Sequence, residues 1–148
     1  MKHHAEVLIE APRKLVWEVF DNPDNMQKWQ PTLTSFVHKS GSAGQPGAVS
    51  ELTYEENGRT IVMTETITER RDHEFLAGTY ETRFGTTTVV NRFESTDDGN
   101  TRWSVWCRFR FRGFMKVMAL FMGGSIRRRT NDDLGRFKLL AESVAAER

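Results

Sequence analysis

The chain has 148 residues, 38% of them hydrophobic and 28% charged, with 21 Lys+Arg against 20 Asp+Glu. That length fits one domain over 1–148, and the composition is too apolar for a disordered chain. One cysteine excludes an internal disulfide framework, and the longest apolar run, Val117 to Met122, is far short of the ~20 residues that span a bilayer.

Ala5 to Ile9 reads as a short strand. Pro12 opens a helix over 12–20, where a missing N–H costs nothing and Leu15, Val16, Val19 and Phe20 recur at helical spacing. Asn22-Pro23 breaks it, a second short helix covers 24–29, and Pro31 ends that one. Strands follow. The alternation from Leu33 to His38 is one, and 40–47 is a loop by its Gly, Ser and Pro content. Strands at 49–55 and 60–68 flank Asn57-Gly58, the strongest short hairpin signal. A strand at 75–82 comes next. Those at 86–94 and 102–112 flank the turn Asp97-Asp98-Gly99-Asn100. In the last strand Trp103, Val105, Cys107, Phe109 and Phe111 face one way, and Trp106 and five neighbours, four of them arginines, face the other.

From Phe114 to Ala146 the period becomes helical, with a kink expected at Gly123-Gly124. A stripe runs through Leu120, Gly123, Arg127, Thr130, Leu134, Phe137, Ala141 and Val144. The order predicts an α+β protein: a curved antiparallel sheet of about seven strands, covered by the one helix long enough to bury its apolar face. Such curvature leaves a space between sheet and helix.

The N-terminal residues lack the apolar stretch of a signal peptide, so a cytoplasmic location is expected. The near-neutral total hides an asymmetry. Residues 1–101 carry 10 Lys+Arg and 16 Asp+Glu, while 102–138 carry 10 and 2. A basic third of this kind suits an anionic partner such as a headgroup, a carboxylate or RNA; equally, Arg108, Arg110 and Arg112 form the solvated face of one strand. No nucleic-acid recognition module is legible, and no nucleic-acid partner is expected.

The strand at 60–68 puts Ile61, Met63, Glu65 and Ile67 on its more apolar face. Glu65 is therefore expected inward with a raised pKa, as an acid/base or a ligand anchor, unless it pairs with Arg127 or a bulge turns it out. Asn91 shares a face with Val89 and Phe93 and needs partners, from a ligand or from backbone. Arg127 either meets a carboxylate in the cavity or extends its head to water. Tyr54 and Tyr80 are the two tyrosines, and either hydroxyl can orient a polar ligand; the face of the 75–82 strand stays ambiguous. Trp103, Val105 and Phe109 complete the sheet side of the cavity. Met118, Leu120 and Met122 come from the apolar segment 114–122. That segment has three readings: a lid over the cavity mouth, a helix start packed near Trp29, or insertion into a membrane surface aided by Lys116 and 127–129.

The four histidines show no zinc-ligand spacing, and no P-loop, dinucleotide fingerprint or nucleophile elbow is present, so neither metal nor cofactor is expected. Cys107 has no histidine beside it and reads as a core residue.

The pattern resembles the SRPBCC superfamily, the START-like, polyketide-cyclase-like and birch-pollen-allergen-like proteins. The residues that carry this are Ile9-Glu10-Ala11-Pro12, Trp17-Glu18-Val19-Phe20, and 24–29 ending in Trp29. Further on they are Met63-Thr64-Glu65-Thr66, Asn91-Arg92-Phe93, Thr101-Arg102-Trp103 and 133–138. The resemblance covers nearly the whole chain and implies a helix-grip fold with a largely apolar cavity. The function it implies is binding or transport of a small hydrophobic ligand such as a lipid, an aromatic or a polyketide. The alternatives are a cyclase or dehydratase using Glu65 as acid/base, and a protein-interaction module docking through 114–122. Fold alone does not choose among them.

Overall fold

The computed structural model describes the backbone of residues 1–148 and every side chain except those of 119–122. The elements in chain order are β1 (Lys2–Ile9), α1 (Arg13–Asp21), a 3₁₀ turn (Pro23–Asn25), α2 (Met26–Trp29) and β2 (Leu33–Ser40). Then come β3 (Val49–Glu56), β4 (Arg59–Arg71), β5 (Phe75–Thr82), β6 (Gly85–Ser95), β7 (Thr101–Phe111) and α3 (Met115–Ala146). The strands form one seven-stranded antiparallel sheet in the order β1-β7-β6-β5-β4-β3-β2. Apart from β1, each strand follows its neighbour through a short connection, as antiparallel pairing allows.

The β3–β4 connection shows how closely local chemistry sets the fold. Asn57 and Gly58 both have positive φ, 51° and 75°, the pair of left-handed residues that a type I′ hairpin turn requires. Sheet curvature has a visible cause as well. The register of β4 against β5 shifts between Ile67 and Glu69, and irregularities in β2 fall at Leu33/Ser35 and His38/Ser40. Such bulges bend and twist a strand.

α3 runs unbroken through Gly123-Gly124, so the expected kink is not a break in the helix. It lies mainly against β1 and α2, and less against α1 and β7. An aromatic cluster seals that side. Phe93 and Trp103 stack at 5.8 Å, Trp103 meets Phe137 at 4.8 Å, and Trp29 meets Phe137 at 5.4 Å. A second apolar cluster, Leu33, Leu52 and Tyr54, lies across the sheet. Because the helix leans toward β1, the concave surface of β3–β6 is left uncovered between the two clusters.

Candidate functional site: a cavity between sheet and helix

That uncovered surface encloses a cavity of about 520 Å³. The volume falls within the range of small-molecule sites. Its walls come from alternate residues of the inner strands, from α1 and α2, and from one side of α3.

The structure brings Met63, Glu65, Tyr80, Asn91, Trp103, Val105 and Phe109 together around this space, as their strand faces require. The ambiguity on β5 resolves toward Leu76 and Tyr80. Phe75, on the opposite face, is covered by the guanidinium groups of Arg71 and Arg92, at 4.9 and 5.6 Å from its ring. Two other expected positions do not face the cavity. Arg127 is exposed, and its charge is felt instead by His3 of β1, whose pKa is lowered first by burial and then by Arg127. The cavity side of α3 carries Ile126, Arg129, Thr130, Asp133 and Leu134. One residue of helix is a rotation of about 100°, which is enough to turn Arg127 away. Met118 is 37% exposed and also stands outside the cavity. Leu120 and Met122 lie outside the described side chains. Of the segment 114–122 read as a helix start packed near Trp29, Phe114, Val117 and Met118 are exposed and do not pack there, while Met115 is half-buried. Trp29 meets α3 farther along, where Arg136 Nε donates to its carbonyl at 3.1 Å.

Glu65 points inward and makes no ion pair among the described residues. Its Oε2 accepts a 2.7 Å hydrogen bond from the Tyr80 hydroxyl. Burial pushes the carboxyl above the ordinary glutamate range, and the Tyr80 hydrogen bond partly opposes this. Tyr80 is pushed well above its ordinary value by burial and by the neighbouring carboxylate. The pair is thus a carboxyl whose ionisation burial makes harder than that of a free glutamate, held in place by a phenol that keeps its proton. A carboxyl of this kind can donate a hydrogen bond to a ligand oxygen when neutral, or take a proton when ionised.

Asn91 is only 8% exposed and both ends of its amide are engaged. Its Nδ2 donates to the Leu76 carbonyl at 3.3 Å, and its Oδ1 accepts from Trp103 Nε1 at 3.1 Å. It therefore ties three strands together within the cavity wall.

Two polar groups at the ends of the cavity escaped the sequence reading. At one end Arg129 donates to Glu56 Oε2 at 2.9 Å and lies 5.0 Å over the Tyr54 ring. Tyr54 in turn donates to Gln30 Oε1 at 2.7 Å, linking β3 to the end of α2. At the other end Arg70 grips Asp21 with two parallel bonds of 2.7 and 2.8 Å. The same guanidinium reaches the Gly44 carbonyl at 2.9 Å and Asp72 at 2.8 Å. The carboxylates of Asp21 and Asp72 raise its pKa further. Apart from Arg70–Asp72, these pairings join residues 24 to 75 positions apart, and no local pattern marks them. Cys107 lines the cavity, and burial pushes its thiol up to about 11, so it is not a ready nucleophile.

A curved antiparallel sheet gripping one long helix, with an apolar chamber between them and an acid inside it, defines a helix-grip cavity protein. The chain belongs to the family described as polyketide cyclase / dehydrase and lipid transport, whose model matches residues 2–142. Among curated proteins no match is found. Solved structures share the fold at low identity. Protein TTHA0849 from Thermus thermophilus superposes with a TM-score of 0.82 at 13% identity, over 98% of this chain and 99% of that one. The Zhui aromatase/cyclase from a Streptomyces species gives 0.79 at 18%, over 96% and 94%. Ara h 8.0201 gives 0.76 at 16%, over 97% and 98%. At such identities the likeness speaks for fold alone.

Proposed function

We propose that the protein binds a small, mainly apolar molecule in the chamber between sheet and α3, with a ligand oxygen anchored at Glu65 and Tyr80. The observation that carries this reading is the chamber itself: about 520 Å³ of space walled chiefly by apolar side chains, into which Glu65 presents a partly accessible carboxyl that, unlike Asp21 and Asp133 in the same wall, has no arginine partner among the described residues. A core with no ligand role packs to crystal-like density and leaves few voids larger than a water molecule. The family description, which includes lipid transport, supports the same reading. A cytoplasmic site of action is part of the proposal.

Fluorescence titration with the apolar probe N-phenyl-1-naphthylamine tests it. Val89 lines the chamber, so Val89→Trp fills part of it. The wild type is expected to bind the probe, and the variant at least about tenfold less well while remaining folded. Equal probe binding by both would place the probe elsewhere and remove the support.

A second reading, acid/base catalysis of a cyclisation or dehydration, is favoured by one observation: Glu65 faces the cavity with a raised pKa and, among the described residues, no cationic partner. Burial shifts such a carboxyl in the direction that makes it a better proton-transfer group. Turnover of a poly-β-ketone that Glu65→Gln abolishes would support it. Turnover that survives Glu65→Gln would assign the carboxyl to binding.

A further inference from the structure

One end of the molecule gathers features that the chamber does not use. The β5–β6 turn, the end of β7 and the start of α3 meet there, joined by the 2.8 Å hydrogen bond from Arg112 N to the Phe84 carbonyl. Phe114 is 75% exposed and Val117 52%, and Met118 stands beside them on the same opening turn of α3. Arg83, Arg110, Arg112 and Lys116, on the β5–β6 turn, the end of β7 and the start of α3, lie at the same end and are all exposed. None of the four forms an ion pair among the described residues. Arg83 lies over the Phe84 ring at 4.8 Å, and Arg112 reaches the Thr86 hydroxyl at 3.4 Å. Of the acidic groups at this end, Glu56 is held by Arg129, while Glu55 and Glu81 stand on the exposed surface.

Exposed phenylalanine, valine and methionine are costly in water, and at one end with four cations that form no ion pair among the described residues they suit an interface with two layers. The apolar tips enter the acyl boundary while long cationic side chains reach the headgroups. A nucleic acid would satisfy the cations but offers no apolar layer for Val117 and Met118. The place is also apt, because Phe109, which lines the chamber, stacks on Phe111 at 5.9 Å just before this end.

We propose that this end of the molecule docks on an anionic lipid bilayer. Phe114, Val117 and Met118 enter the interface, and Arg83, Arg110, Arg112 and Lys116 meet the headgroups. This surface is distinct from the chamber, and the docking does not require the chamber to be filled.

Co-sedimentation with vesicles tests it. One set is phosphatidylcholine alone, and the other contains phosphatidylglycerol as about a third of the lipid. Partition onto the anionic vesicles is expected to exceed that onto the neutral ones by about tenfold or more, and to fall steeply as salt is raised. Phe114→Glu with Val117→Glu is expected to abolish it, with an unchanged circular dichroism spectrum because both side chains are solvent-exposed. Phe114→Leu is expected to keep it, and so is the chamber-filling Val89→Trp, so this proposal and the ligand reading fail separately. Equal partition onto both vesicle types, full binding by the double glutamate variant, or binding of an RNA oligonucleotide in place of vesicles would each overturn it.

Discussion

Replacing Asn91 with leucine separates two roles that its place in the cavity wall leaves open. Leucine is close to asparagine in size but cannot form either of its hydrogen bonds. Trp103 Nε1, on a side chain only 1% exposed, then loses its acceptor, and the Leu76 carbonyl loses one of its donors. A buried donor left unpaired costs about 1–3 kcal/mol, and the carbonyl, which has a second lone pair, costs less. The expected loss is about 2–4 kcal/mol. At this chain length that corresponds to a fall of roughly 5–15 °C in melting temperature. Thermal and urea unfolding measure this loss, and probe titration, done well below the melting temperature, measures the site. The account expects a destabilised variant whose folded fraction binds the probe within about threefold of wild type. A variant as stable as wild type that binds the probe more than about tenfold less well would refute the reasoning and make Asn91 a ligand contact.

Other consequences follow from the same geometry. Because burial raises the Glu65 pKa in the folded state, folding is favoured while the carboxyl is protonated. That advantage is lost as pH rises from the ordinary glutamate range through the raised value, by at most about 1.4 kcal/mol per pH unit. Urea unfolding of Glu65→Gln across this window is expected to lack that slope; identical pH profiles for variant and wild type would contradict the raised pKa. Arg70→Met breaks the double bond to Asp21 and the link to Gly44, at an expected cost of about 2–4 kcal/mol in urea unfolding, and a change under 0.5 kcal/mol would show that the cluster is not a brace. With its thiol at about 11, Cys107 is expected to react with a disulfide reagent at pH 8 about two orders of magnitude more slowly than an unperturbed cysteine; a rate near that of free cysteine would mean the thiol is open and ionised.

Much of this architecture is legible in the chain because it rests on local chemistry. The Asn57-Gly58 turn needs left-handed residues and has them, and the inward face of β4 follows from period-two alternation that carries Glu65 inward with Met63 and Ile67. Alternation fails on β5, where both faces are apolar. Phe75 is buried on the outer face beneath Arg71 and Arg92, a pairing set by the sheet and not by β5. The helix was the harder case. Spacings of three and four residues define a stripe but not its exact phase. The lean of α3 toward β1 puts Ile126 and Arg129, not Arg127, on the cavity side. Arg70 and its grip on Asp21 could not be read at all, since the two meet across 49 positions through the curvature of β4.

The central claim is that the chamber is a binding site. Native mass spectrometry of the purified protein, followed by solvent extraction, tests it most directly. The account predicts a stoichiometric mass increment that disappears on extraction and returns as an apolar compound in the organic phase, or, for protein purified empty, the same increment when N-phenyl-1-naphthylamine is added. A protein that carries only its own mass and takes up no probe at concentrations that saturate other apolar chambers of this size would contradict it.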